Sequence, residues 1–285
     1  MKDFKLLLIV AAITGILYWG VEPLAHSVMH PAVAPADYGF SDLEKIDSSK
    51  GNAAKGAELV MANCVACHGI KSQGFDAPMD HESASASYGV VPPDLSSAGR
   101  IYESNYLANF IKNPTKAAHL THKFNESKPY PMPAYDWMSN EEIADIVAYF
   151  ASIAPEKVSN QEVFVDACQR CHSMKYDKLL AETPEETLKD YMGSKAPDLS
   201  MMIRSKGEHY LHTFINEPQK LLHGTAMPRV GLNEEAEKQV VSYIESIGDS
   251  KKDERESLGI KAILFMMVLS VLAYLWKHKI WKEVE

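Results

Sequence analysis

The sequence predicts an all-α protein: two helical repeats in tandem, flanked by an N-terminal and a C-terminal transmembrane helix. Three observations predict it. Apolar residues gather in a long run near each end of the 285-residue chain. The region between those runs is one unit written twice. Within each copy the apolar positions recur at helical spacing behind recognisable caps, and no stretch alternates as a strand would. The segments read as an anchor over 1–22, a linker over 23–44, a first repeat over 45–154, a second over 158–248 and a final span over 258–276.

Leu6 to Val21 carries no charge and follows Lys2 and Lys5. It exceeds a typical signal-peptide core and no small-x-small cleavage site follows closely, so it reads as a retained anchor. Trp19 stands at its outer end, where an indole suits the membrane interface. The stretch from Glu22 to about Asp42 holds Pro23, Pro31 and Pro35 and reads as an extended tether.

A shift of 104 residues places Cys64 on Cys168, Pro93-Asp94-Leu95 on Pro197-Asp198-Leu199 and Arg100 on Arg204. The same shift places Tyr106-Leu107 on Tyr210-Leu211, Phe110-Ile111 on Phe214-Ile215, Pro114 on Pro218 and His119 on His223. Each unit opens with a helix, Asn52–Ala66 in the first and Gln161–Gln169 in the second. A further helix spans Arg100–Lys112 and Arg204–Asn216 and stops before a proline. The last helix of the first unit opens on the capping box Ser139-Asn140-Glu141-Glu142 and buries Ile143, Ile146, Val147 and Phe150. Its counterpart is capped by Asn233 and buries Ala236, Val240, Ile244 and Ile247. A charged spacer, Gly248 to Ser257, then returns the chain to the membrane. Leu258 to Trp276 is apolar on every face except for Lys261, as a membrane span is and a core helix rarely is. Lys277, Lys279 and Lys282 follow, so by the positive-inside rule both termini are cytoplasmic and everything between the spans lies outside.

All four cysteines sit in two pentads, Cys64-Val65-Ala66-Cys67-His68 and Cys168-Gln169-Arg170-Cys171-His172. C-x-x-C-H is the attachment signature of c-type haem: two thiols form thioethers to one porphyrin edge, and the next histidine reaches the iron. A zinc knuckle would bring its second cysteine pair within about 12–20 residues, and a redox dithiol has no need of the histidine. The pentads therefore imply two covalently bound haem c groups, His68 and His172 as axial ligands, no disulfide, and a compartment outside the bacterial cytoplasm. The net charge of −9 excludes nucleic acid as a partner class and suits a basic protein partner.

For the opposite axial position the candidates are Met132 in Tyr130-Pro131-Met132-Pro133 and Met227 in Thr225-Ala226-Met227-Pro228. Most of the 13 methionines are core or membrane residues. A Met-Pro at the same place in both repeats differs, because proline fixes the backbone that presents the sulfur. His119 and His223 compete for the role. The first unit carries nine more residues between its proline and its methionine.

Both units resemble class I c-type cytochromes. The stretch Glu217-Pro218-Gln219-Lys220-Leu221-Leu222-His223-Gly224-Thr225-Ala226-Met227 is similar to that family's Asn-Pro-x-x-x-x-Pro-Gly-Thr-x-Met ligand loop, with His223 in place of the loop proline. The resemblance implies that the carbonyls of Pro93 and Pro197 accept the Nδ1 protons of the ligating histidines. It implies that Leu95 and Leu199 pack on the haem faces and that Arg100 and Arg204 reach propionates, with a surface salt bridge as the alternative for each arginine.

The whole-chain layout, together with Gly20-Val21-Glu22-Pro23-Leu24-Ala25-His26-Ser27, resembles the dihaem cytochrome c subunit of a bacterial quinol–cytochrome c reductase. That resemblance implies cytochrome b and a Rieske iron–sulfur protein as partners and a soluble cytochrome c or an oxidase as acceptor. It places the haem domains on the periplasmic side of the inner membrane. His/Met ligation leaves no open site on iron, so the expected role is electron transfer and not catalysis. Two alternatives stand beside it. One is the dihaem subunit of a cbb-type haem–copper oxidase, where the spans should precede the haem domains. The other is a dihaem peroxidase or thiosulfate-oxidising cytochrome, which needs a haem that opens.

Overall fold

The computed structural model describes residues 2–29, 34 and 36–284 of the chain. It is helical throughout, and among the described residues β-structure is limited to isolated bridges. Helix α1 (Lys2–Ile16) runs through a π-helical turn (Leu17–Val21) into α2 (Glu22–Met29). Pro23 explains the wide turn. It has no N–H to donate, and its ring crowds the carbonyl one turn earlier, so the helix opens just before it. The expected tether at 23–44 therefore begins as helix; Pro31 and Pro35 lie outside the described residues.

The tether is also not free at its far end. Phe40 is fully buried against Tyr106, with ring centroids 5.0 Å apart. The Tyr38 hydroxyl donates to Glu237 at 2.7 Å, and the Ile46 amide donates to Asn105 at 2.9 Å. A segment that reads as polar spacer thus packs against both repeats, because its few aromatic and aliphatic residues find apolar partners far along the chain.

The first repeat comprises α3 (Ala53–Asn63), α4 (His81–Tyr88), α5 (Ala98–Ile101), α6 (Ser104–Lys112), α7 (Pro114–Ala117) and α8 (Asn140–Ile153). Helices α3 and α8 cross closely over Gly56, where an added Cβ would meet the Asp145 carbonyl oxygen at 1.9 Å. The predicted capping box at Ser139 and Glu142 is formed, and Ile143, Ile146, Val147 and Phe150 are buried. Burial of each such side chain is worth about 1.5–3 kcal/mol.

The second repeat comprises α9 (Asn160–Cys168), α10 (Glu185–Met192), α11 (Met202–Lys206), α12 (Glu208–Asn216), α13 (Pro218–Leu221) and α14 (Glu234–Gly248). Helices α10, α12 and α13 begin and end 104 residues after α4, α6 and α7. The helix expected over 100–112 is two, because Glu103 accepts from the Tyr106 amide and caps a new start. Its counterpart breaks at Gly207, whose φ of 84° ends α11. Asn233 caps α14 as predicted, and Ala236, Val240 and Ile244 are buried, whereas Ile247 near the helix end is only half-buried; the buried face also holds Glu237, fully enclosed and bonded to Tyr38, His212 and Asn216.

The repeats are locked together. Ile101 belongs to the second repeat's core, packed with Val163, Phe164 and Leu232. The Glu103 amide donates to the Gly231 carbonyl at 2.9 Å and the Asn233 amide to the Ile101 carbonyl at 3.0 Å. The expected spacer at 248–257 is mostly helical, since α15 (Lys252–Val284) starts four residues after α14 ends. Both terminal helices meet the length and apolarity of a membrane span and lie exposed on the outside of the fold.

Candidate functional site

Each pentad is a tight turn at the end of the repeat's first helix. The amides of Cys67 and His68 donate to the Cys64 carbonyl at 3.1 and 3.0 Å, and those of Cys171 and His172 to the Cys168 carbonyl at 3.1 and 2.9 Å. This places both thiols and the imidazole on one wall of a cavity. Opposite segments are pinned to each turn by the same bonds. The Leu95 amide donates to Gly69 and the Leu199 amide to Ser173, each at 2.9 Å. As a result the Nδ1 of His68 lies 2.8 Å from the Pro93 carbonyl, and that of His172 lies 2.8 Å from the Pro197 carbonyl. A carbonyl can only accept, so Nδ1 carries the proton and Nε2 keeps its lone pair.

Burial lowers the pKa of both histidines, a shift that the carbonyl bonds partly offset, and this holds the rings neutral as metal ligands must be. Burial pushes the Cys64 thiol up to about 11 and the Cys168 thiol up to about 12. The Cys67 thiol donates to the Tyr88 hydroxyl at 3.6 Å.

The two sites open into one continuous cavity, part of it open to solvent. It is lined by Cys64, Cys67, His68, Pro93, Leu95 and Met132 from the first repeat and by Cys168, Cys171, His172 and Met227 from the second. Met132 and Met227 thus face the space the histidines face. Met138 also lines it, although it is buried in the first repeat's core. Leu199 packs into the second repeat's core, and Pro197 meets His172 from behind.

Two pairs of expectations part company here. His119 and His223 lie away from this cavity, in a second pocket with Asp42 and His122. The His119 ring bonds to Asp42 at 3.1 Å. Neither Arg100 nor Arg204 lines the cavity: Arg100 pairs with Glu235 at 2.6 Å across the repeats, and Arg204 is exposed. In their place the cavity holds Arg170 and Arg229, with Tyr88, Tyr102, Tyr106 and Tyr130. Sequence reasoning passed over Arg170, Tyr88 and Tyr102 because they have no match in the other repeat, and it met Tyr106 and Tyr130 only as parts of the repeat and of the Met132 segment. Arg170 falls at a variable position of its pentad, where the first repeat has Ala66.

The donor set fits haem c at both places. Each has two thiols, a neutral imidazole with its Nε2 lone pair directed to the cavity, a thioether sulfur and apolar walls. The orphaned Nε of Arg170, sealed from solvent without an acceptor, is what an anionic substituent inside the cavity would satisfy.

Residues 53–154 match the cytochrome c family. A solved chain described as "Hyperthermophilic respiratory Complex III" is 19% identical over 96% of this chain and 99% of that one, with a TM-score of 0.30, a likeness that carries no argument. No curated protein matches the sequence. The family match implies covalent haem c and electron transfer.

Proposed function

From a cytochrome c domain over residues 53–154, we propose that the chain is a membrane-anchored dihaem electron carrier, the cytochrome subunit of a quinol–cytochrome c reductase. In this reading it takes electrons from a Rieske iron–sulfur protein beside cytochrome b and delivers them to a downstream cytochrome or oxidase. The haem domains face the periplasm and both termini the cytoplasm, a topology supported by the lysines that flank each span.

The observation that carries the reading is the duplicated bond of 2.8 Å, His68 to Pro93 and His172 to Pro197, on the walls of one cavity. Bound haem c supplies a one-electron Fe(III)/Fe(II) couple. His68 and His172 would each supply one donor to the iron and Met132 and Met227 the other, which would leave no coordination position for a substrate. The α9 and α3 turns fix the thiols, and the pinned Pro93 and Pro197 segments fix the imidazoles, so ligand geometry need not reorganise as charge changes. Residues 258–276 of α15 are apolar on every face except at Lys261 and are exposed, which suits packing against a membrane partner.

Purification of the tagged chain in mild detergent tests this. Cytochrome b and a Rieske protein in fixed stoichiometry are the expected companions. A haem–copper oxidase core in their place, or a lone chain that turns over peroxide, overturns the reading.

A further inference from the structure

Two guanidiniums line the cavity, Arg170 and Arg229, and Arg229 is held by the carboxylates of Asp42 and Glu217. Among the described residues Arg170 makes no ion pair with any carboxylate, and its Nε is buried with no acceptor. A guanidinium cannot shed its proton in a protein, so an unpaired one in such a place is costly unless something anionic enters. Its backbone belongs to the second pentad, yet its electrostatic neighbours include Tyr102 and Tyr130 of the first repeat. Its charge also reaches His68 across the boundary.

The chemistry of the cofactor decides what the anion is. The acidic substituents of haem c are its propionates, which lie on the porphyrin edge opposite the thioether edge. Thioethers to Cys168 and Cys171 would hold the second haem with its thioether edge beside Arg170 and its propionates away. The carboxylate that can meet Arg170 must then come from the other haem.

We propose that Arg170, carried on the second haem's attachment loop, holds a propionate of the first haem, the one ligated by His68. It is a positioning residue that ties the two cofactors together through the chain, and it rests on the dihaem reading above. The pairing replaces the role that the resemblance to class I cytochromes implies for Arg100, whose guanidinium is engaged by Glu235. It also makes the two repeats unequal: Ala66 offers the second haem no equivalent group. A cation at this place favours the reduced first haem, since reduction adds a negative charge nearby.

The test uses the intact chain with Arg170→Gln and Arg170→Lys, counting haems by pyridine haemochrome and titrating each haem spectroelectrochemically. A Met227→His background moves the second haem alone and tells the two apart. Arg170→Gln should lower the reduction equilibrium constant of the His68 haem by about tenfold, the size expected for one charge roughly 10 Å from the iron at an effective dielectric near 20. Arg170→Lys, which keeps the charge, should restore most of it. If the Gln variant fails to load haem, the propionate carboxylate stretch in reduced-minus-oxidised infrared spectra of Arg170→Lys should move from its wild-type position. Two haems with an unmoved first haem, a shift confined to the second, or an unchanged carboxylate stretch would overturn the proposal. A wild-type chain with fewer than two haems overturns the dihaem reading itself, and this proposal with it.

Discussion

Arg229 and Asp42, 187 residues apart in sequence, share two hydrogen bonds of 2.9 Å. Arg229 also donates to Glu217 at 2.7 Å, and the side chains of that pair are only 2% and 5% exposed. The Arg229 amide donates to Ala118, and its carbonyl accepts from the Tyr106 hydroxyl at 2.5 Å. One residue therefore joins the tether, both repeats and the segment that presents Met227. Removing it strands Glu217 in the interior with, among the described residues, only Lys220, 3.6 Å away, as an ionic partner. Arg229→Met is expected to destabilise the folded chain by about 3 kcal/mol, near the low end for a broken buried pair. Thermal unfolding of the detergent-solubilised protein checks this, and a change under 1 kcal/mol would count against the network.

The same contact has a pH signature. Burial raises the pKa of Asp42, but the bonds from Arg229 and His119 outweigh it, and the net value falls below 3.8. A lowered carboxylate pKa stabilises the fold above the unfolded value and ceases to do so as pH falls through the folded one. Asp42→Asn should therefore be less stable than the parent at pH 7, with the difference closing below pH 3.8. Melting temperatures of the pair between neutral and acid pH measure it; a gap that persists in acid would contradict the assignment.

Gly56 is where α3 and α8 touch. A Cβ there would stand 1.9 Å from the Asp145 oxygen and 2.9 Å from the Tyr149 Cβ. Gly56→Ala gains about 1 kcal/mol in helix propensity but loses more to overpacking, typically 1–3 kcal/mol or beyond. Because Cys64 ends α3, haem loading at the first pentad should fall while the second is spared, as haem stoichiometry of single-pentad variants would reveal.

Changing Cys168 and Cys171 to Ala should leave a chain with one covalent haem. Intact mass and a haem stain after denaturing electrophoresis read the number directly. A variant that still carries two haems is incompatible with one haem per pentad.

Met227→Ala should weaken the sulfur-to-iron charge-transfer band of the oxidised protein, and a further Met132→Ala should abolish it. A band that survives the double change would move attention to Met138, which lines the same cavity. Its absence from the parent protein would argue against thioether ligation altogether.

The pentads, the duplicated Pro-Asp-Leu and the caps at Ser139 and Asn233 were legible because each acts through neighbours in sequence. A thiol pair, a turn and a side-chain cap are set by spacing along the chain, and periodicity alone exposed the buried faces of α8 and α14. The membrane spans were legible for a similar reason, since lipid imposes apolarity on every face. What spacing could not reveal was who meets whom across the fold. The tether folds back because Phe40 finds Tyr106. Arg100 turns outward because Glu235 is within reach, and His119 is drawn to Asp42. Arg170 faces the first repeat only because the docking of the two repeats puts Tyr102 and Tyr130 beside its loop. Long-range pairing depends on how two cores pack, and packing energy is non-directional and spread over many contacts, so no local motif encodes it.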